Sequence, residues 1–182
     1  PYTTLFRSVP LAAGGNVDAI TRLIGEKLSA SLGQPIIVEN RPGATGMIGA
    51  AAVAKAEPDG HTILFAISSI VQSIRLQKNP PYSLAELAPI TQLADLPPAL
   101  GVAESLGAKT LAEFVVLVKE RPGKLSYGSY GVASSGHIIG EYLKRSTGMN
   151  IVHVPYKGAA PAITDLIAGQ VAAVFGSAGA MS

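Results

Sequence analysis

The chain of 182 residues contains no cysteine and no tryptophan, and only 14% of its residues are charged. The absence of cysteine excludes disulfide bonds and thiolate metal sites. Fourteen basic residues balance twelve acidic ones, for a formal net charge of +2, and the basic residues form no cluster. The sequence therefore gives no support for a nucleic-acid partner. Since no apolar run reaches the roughly 18 residues that a membrane helix needs, we also expect no direct membrane insertion.

Apolar residues are abundant, at 48% of the chain, together with 20 glycines. This much apolar surface can offset chain entropy, which excludes a disordered polypeptide. Strand and helix patterns alternate, and this predicts an α/β fold with mostly parallel strands and helices on both faces of the sheet. Two apolar stretches separated by Pro97 and Pro98 predict a crossover between two domains. The alternation of strand and helix resumes after it.

Several element ends carry local signals. Asn16 is the predicted N-cap of the first helix, and Gly33 is its predicted left-handed C-cap. Thr110 and Glu113 predict a capping box, in which each side chain satisfies a backbone donor at the helix start. Ser134 or Ser135 is the predicted N-cap of a later helix. Residues 61–66 (HTILFA) are apolar on both faces, which predicts a central strand.

Loops rich in glycine, serine and alanine follow five of the predicted strands. Ligands of open α/β sheets bind beyond the carboxyl ends of the strands. Small residues expose backbone N–H groups there, and a helix N-terminus adds unpaired donors and a positive dipole end. A carboxylate held by amides, hydroxyls and waters is the ligand that this pattern favours. The candidate ligand contacts are Ala13, Gly14, Gly15, Asn16, Asp18, Ser68, Ser69, Ser129, Gly131, Ser134, Ser135, His137, Tyr156, Lys157 and Gly176.

Each candidate also has a purely structural interpretation, because glycine and serine make good turns between strands and helices. Asp18 could face the ligand or complement the helix dipole, and we favour the dipole role. His137 is either a ligand contact in the first turn of a helix or a solvated side chain. Lys157 could supply positive charge to an anion or be an ordinary surface lysine. His61 and His153 are predicted to be structural.

Motifs for catalysis and nucleotide binding are incomplete. Residues 43–46 (GATG) lack the lysine and the spacing of a phosphate loop. Ser129 lies in GSYG, which is not the nucleophile elbow G-x-S-x-G. We therefore expect no cofactor, no metal and no enzymatic activity. A serine-dependent α/β hydrolase that uses Ser135 and His137 remains the alternative from a different class.

Three segments carry a family resemblance, namely VENRPGA, AKAEPDG and VHVPYKG in this order and spacing. Over residues 9–175 the chain resembles the Bug-type (TctC-like) receptors of tripartite tricarboxylate transporters. The resemblance implies a type II periplasmic binding protein, a two-lobed "Venus flytrap" that closes on a small organic acid. It also implies a monomer in the periplasm that delivers its ligand to membrane permease subunits. The ligand-sensing domain of a transcription regulator shares this fold and is a further alternative.

The resemblance implies ligand loops at residues 11–18, 68–69 and 129–137. Near the last strand the family commonly has a pattern like V-D-x-x-F-D-N, whereas this chain has VAAVFGS, with Ala172, Gly176 and Ser177 at the differing positions. A side chain that could bind a ligand amine or hydroxyl is therefore missing. This difference favours a plain carboxylate over an amino acid.

The resemblance also sets expectations for the two ends of the chain. Only Val9 and Pro10 keep the family pattern of the first strand, and PYTTLFRS resembles a translated sequencing adapter. We expect residues 1–8 to be a non-native leader, with the signal peptide lost by truncation. The first lobe is then an incomplete one at residues 9–97, and the second lobe, at residues 98–182, is truncated at its C-terminus. The predicted hinge lies near residues 93–102.

Overall fold

The computed structural model describes residues 5–10 and 12–181. The chain forms two compact units, residues 1–93 and residues 94–182. Residues 1–4 of the predicted leader, and Leu11 of the first predicted ligand loop, lie outside the described residues. The origin of the leader, the lobe boundary at residue 97 and the hinge remain predictions.

Unit 1 is built on a parallel three-stranded sheet. Its strands are Leu5–Val9 (β1), Ile36–Asn40 (β2) and Thr62–Leu64 (β3), and its helices are Asn16–Leu32 (α1), Met47–Ala54 (α2) and Ser69–Arg75 (α3). β1 lies in the middle and pairs with β2 and β3 in parallel. The prediction of a central strand in HTILFA is wrong for the described residues. Among these residues the central strand is β1, and β3, the strand formed by HTILFA, lies at the edge of the sheet.

Helices cover both faces of this sheet, as predicted. Ile63 and Leu64 are adjacent on β3 and therefore point to opposite faces. Ile63 packs with Val9 and Ile24 in a core beneath α1, whereas Leu64 packs in a core with residues of α2 and α3. Helix α1 begins one residue earlier than predicted, with Gly15 as its N-cap, and its left-handed C-cap is Gly33 (φ 63°), as expected.

Unit 2 is built on a mixed four-stranded sheet with the order β4-β7-β5-β6. Its strands are Pro98–Val102 (β4), Ser126–Ser129 (β5), Val152–Pro155 (β6) and Ala173–Ser177 (β7), and its helices are Leu111–Glu120 (α4), Ser135–Thr147 (α5) and Ala159–Ile167 (α6). β5 is parallel to β6 and β7, while β4 is antiparallel to β7. The predicted mostly parallel sheet is therefore confirmed, with one antiparallel edge strand.

The start of α4 differs from the predicted capping box in one bond. The Thr110 hydroxyl accepts the N–H of Glu113, as expected. The Glu113 carboxylate, however, accepts the N–H of Lys109 at 2.7 Å, one residue before the predicted position. No helix in the described part of the chain is long and apolar enough to cross a membrane.

Candidate ligand-binding loops

The loop between β5 and α5 is held in a strained conformation by several hydrogen bonds. Ala133 has a positive φ of 67°, which costs a non-glycine residue about 1–3 kcal/mol. The Ser134 hydroxyl caps α5 by accepting the His137 N–H, and it donates to the Gly131 carbonyl at 2.7 Å. The Ser134 N–H donates to the same carbonyl. The prediction that a serine caps this helix is confirmed for Ser134.

Ser129 and His153 form a polar pair beneath this loop. Ser129 is fully buried, and its Oγ lies 2.7 Å from His153 Nε2. The same hydroxyl donates to the carbonyl of Gly131, so it accepts from His153 Nε2–H when all these contacts are satisfied. Burial, together with the nearby His137, lowers the pKa of His153 to about 4. The ring is therefore neutral near pH 7. His153 is structural, as predicted, and the buried Ser129 is out of reach of a substrate.

His137 connects the loop to this pair. Its Nδ1 accepts the N–H of Ala133 at 3.0 Å, and its ring stacks on His153 with the centroids 4.1 Å apart. Its Nδ1 is therefore engaged and is not available to activate Ser135. The ligand contact predicted for His137 remains a prediction.

Gly136 brings the start of α5 against the end of β7. A Cβ at this position would lie 3.1 Å from the carbonyl carbon of Phe175 and closer still to its oxygen. Only glycine permits this approach. The Tyr130 side chain also reaches the end of β7, where its hydroxyl accepts the N–H of Ser177. The structure thus gathers residues 129–137 and Gly176 at one edge of unit 2.

Tyr156 and Lys157 follow β6 and differ in exposure. The Tyr156 hydroxyl donates to Asp165 at 2.6 Å, and its N–H donates to the Ser129 carbonyl. Burial and the neighbouring Asp165 raise the pKa of Tyr156 to about 12. Lys157 is exposed. Tyr156 is thus engaged within unit 2, and contact of either side chain with a ligand remains a prediction.

In unit 1 a buried carboxylate organises the turn before α1. Asp18 accepts the N–H of Gly14 at 3.0 Å, a bifurcated hydrogen bond from Arg22 Nε–H to both of its oxygens, and a hydrogen bond from Asn40 Nδ2. Burial alone would raise the pKa of Asp18, but the hydrogen bonds from Arg22, Gly14 and Asn40 outweigh it and hold the pKa below its usual value. The Gly14 N–H is therefore bonded to the Asp18 carboxylate and does not point to a ligand. The position of Asp18 in the first turn also fits the predicted dipole role.

The remaining candidates of unit 1 lie near the carboxyl ends of its strands. Ser69 is buried and donates to the Thr45 carbonyl, whereas Ser68 is exposed. Gly46 lies between Pro10 and Ile70, with both side chains 3.3 Å from the position of its Cβ. The end of β1 and the start of α3 are therefore neighbours. Ala13 and Gly14 are exposed in the adjoining turn, while Gly15 and Asn16 are half-buried.

Several side-chain contacts that shape these loops were missed by sequence reasoning. The spacing of Asp18 and Arg22, four residues apart on a helix, is a detectable signal for their pairing. Asn40 and His153 act through tertiary contacts, which no local pattern indicates. Within residues 5–10 and 12–181, no three histidine, aspartate or glutamate side chains gather as ligands for a metal ion.

Comparison with known proteins shows a consistent relationship. The model of the tripartite tricarboxylate transporter family receptor matches residues 20–181. The protein BugT of Bordetella pertussis is 38% identical over 168 residues, which cover 91% of this chain and 52% of BugT.

Two solved structures from R. palustris share the fold. One, solved with adipate, is 33% identical, has a TM-score of 0.93, and covers 99% of this chain and 61% of its own. MatC with bound malate is 31% identical and has a TM-score of 0.89. The match covers 97% of this chain and 61% of MatC.

The chain spans about half the length of the curated relatives it matches, with shares of 49% and 52% for two of them. The predicted resemblance to the Bug-type receptors and the predicted α/β fold are confirmed. The chain belongs to the tripartite tricarboxylate transporter receptor family, and it has the fold of the family's periplasmic binding proteins over its own length.

Proposed function

We propose that this chain belongs to an extracytoplasmic, non-enzymatic receptor that binds a small carboxylate and delivers it to a membrane permease. The observation that carries the proposal is the TM-score of 0.93 to a protein solved with adipate. The TM-score of 0.89 to MatC with malate supports it. Adipate and malate are both small dicarboxylates.

The chemistry of the loops supports an anionic ligand. Residues 12–18, 68–69 and 129–137 contain no arginine or lysine, so a bound carboxylate would depend on amides and hydroxyls. The first backbone N–H groups of a helix have no hydrogen-bond partner within that helix, and they can therefore bind an anion. Helices α1 and α5 each begin at one of these loops. Hydrogen bonds from such donors to a charged carboxylate are stronger than those to a neutral acceptor.

Burial divides the candidate residues into two groups. Asp18, Ser69, Ser129 and Ser134 are buried and bonded within the protein, and we assign them to shaping the loops. The more accessible candidates are assigned to ligand contact, and they include Ala13, Gly15, Ser68 and Ser135.

Calorimetric titration and thermal unfolding of the purified protein test the proposal directly. Adipate and malate serve as probes, and hexane-1,6-diol is the matched control because it has the length of adipate without its charges. A carboxylate at 100 times its Kd adds about 2.7 kcal/mol to the free energy of unfolding, and the diol should add none. Stabilisation by sugars or by the diol, with no response to either acid, would refute carboxylate binding.

Ser135→Ala tests the assigned contact at the start of α5. The loss of a hydrogen bond to a charged group costs about 1.5–3 kcal/mol, or roughly 10–100-fold in Kd. Ser146→Ala is the matched control, since Ser146 is exposed near the other end of the same helix and donates to the local Leu143 carbonyl. Ester turnover that disappears in Ser135→Ala would instead support a hydrolase.

A further inference from the structure

The loop between β5 and α5 contains a left-handed residue that is not glycine. Ala133 has a φ of 67° and is 5% exposed. An L-residue with a side chain is disfavoured in this region, so it persists only where its surroundings fix it. The hydrogen bonds of Ser134 to Gly131 fix one side of Ala133. The N–H of Ala133 itself is held by His137 Nδ1 at 3.0 Å.

This last bond depends on the protonation state of His137. A ring nitrogen that accepts an N–H must carry a lone pair, so the imidazole is neutral, with its proton on Nε2. If Nδ1 were also protonated, its N–H would face the N–H of Ala133, and both groups are donors. The bond to Ala133 would then be lost and replaced by a repulsive contact.

Groups on neighbouring elements surround His137. His153 on β6 stacks on it at 4.1 Å and is itself neutral near pH 7. From β5, Ser129 and Tyr127 face His153. On α5, Glu141 is an anion, and its Oε1 already accepts from Lys144 at 2.8 Å and from Tyr127 at 2.9 Å.

His137 itself lies three residues after the N-cap of α5. From β7, the apolar Phe175 lies against Gly136, the residue before His137.

We propose that His137 is a positioning residue: its neutral imidazole holds the loop through Ala133 in the conformation that binds the ligand, and protonation of the ring weakens binding. The binding part of this inference rests on the proposed function. The ring acts through the loop, and no bond from His137 to the ligand is required.

Three substitutions separate positioning from direct contact. In His137→Asn the side-chain oxygen lies near the position of Nδ1 and can still accept the Ala133 N–H, but nothing replaces Nε2. In His137→Gln the side-chain amide reaches the position of Nε2 instead. His137→Ala removes both. We expect His137→Ala and His137→Gln to weaken binding of the tighter of the two dicarboxylate probes about tenfold, as for one lost hydrogen bond. We expect His137→Asn to retain the wild-type Kd within about threefold.

The pH profile is the second arm of the experiment. Imidazoles ordinarily titrate between about pH 5 and 8, so Kd is measured across this range for the wild type and His137→Asn. The ratio of the two Kd values cancels any titration of the ligand itself. We expect the wild type to lose affinity relative to His137→Asn as the pH falls. A ratio of Kd values that stays constant with pH would overturn the proposal. Retention of binding by His137→Gln but not by His137→Asn would overturn it in favour of direct contact through Nε2.

A readout without ligand separates this inference from the proposed function. ¹⁵N NMR of the imidazole should show Nδ1 unprotonated at high pH, and the Ala133 amide should exchange about tenfold faster in His137→Ala than in His137→Asn. If neither dicarboxylate binds, the proposed function fails while these two measurements still decide the positioning role. A protonated Nδ1 at high pH, or equal exchange of the Ala133 amide in both variants, overturns it.

Discussion

Replacement of two helical glycines by alanine should have opposite effects on stability. Alanine favours a helix by about 1 kcal/mol over glycine, so the sign depends on what the new methyl group meets. At Gly25 in α1 the Cβ would lie 3.6 Å from Ile36 Cγ2 and 3.8 Å from Val38 Cγ2, which are ordinary contacts. At Gly140 in α5 it would lie 2.6 Å from Cζ of Tyr127 and 2.8 Å from its hydroxyl oxygen.

The clash at Gly140 has no easy relief. Tyr127 is fully buried, and its hydroxyl donates to Glu141 at 2.9 Å. Overpacking costs about 1–3 kcal/mol, and displacement of the ring would also weaken a hydrogen bond worth about 1 kcal/mol. With the gain in helix propensity subtracted, we expect Gly140→Ala to lower the free energy of unfolding by about 2 kcal/mol. Gly25→Ala should raise it by about 1 kcal/mol.

Hydrogen exchange measured peptide by peptide in increasing denaturant is the appropriate assay, because it reports each of the two units separately. Gly140→Ala should increase exchange in residues 94–182, and Gly25→Ala should slow it in residues 1–93. In a Tyr127→Leu background the clash is absent, so Gly140→Ala should become neutral or stabilising. A Gly140→Ala protein as stable as the wild type, or an equal loss in both backgrounds, would refute the packing argument.

Three further predictions concern the loops. Gly136→Ala should weaken dicarboxylate binding more than about tenfold, because the start of α5 must move away from the Phe175 carbonyl; calorimetric titration measures this, and an unchanged Kd would contradict it. Asp18→Asn should destabilise unit 1 by about 1.5–3 kcal/mol, since hydrogen bonds from the Gly14 N–H and other donors lose their charged acceptor, and denaturant-dependent exchange in residues 1–93 tests it. The pKa of His153 is about 4 in the folded chain and ordinarily near 6.5. Unfolding therefore takes up a proton between these values, and unit 2 should lose up to about 2–3 kcal/mol as the pH falls from 6.5 to 4. His153→Gln should remove this slope in exchange measurements, and an undiminished slope would show that another group causes it.

Much of the local structure could be predicted because its causes are local. The cap at Ser134 and the left-handed end of α1 at Gly33 follow from side-chain chemistry within a few residues. The Glu113 bond was predicted to the wrong N–H, because Thr110 and Lys109 are adjacent donors and only the backbone path at the helix start decides between them. The edge position of β3 could not be predicted, because an apolar run has the same appearance in a central strand and in an edge strand covered by helices.

The sequence by itself determined the alternation of strands and helices, the small-residue loops at the strand ends, and the family to which the chain belongs. These follow from periodicity, turn chemistry and motif order, all of which are properties of neighbouring residues. Tertiary structure alone decided which loop residues are buried supports. Ser129 and Ala133 are held by His153 and His137 respectively, and the Gly14 turn is held by Asp18. Asn40 joins that carboxylate from 22 residues away in sequence. Such contacts form only when strands distant in the chain become neighbours in a sheet, so no local pattern encodes them.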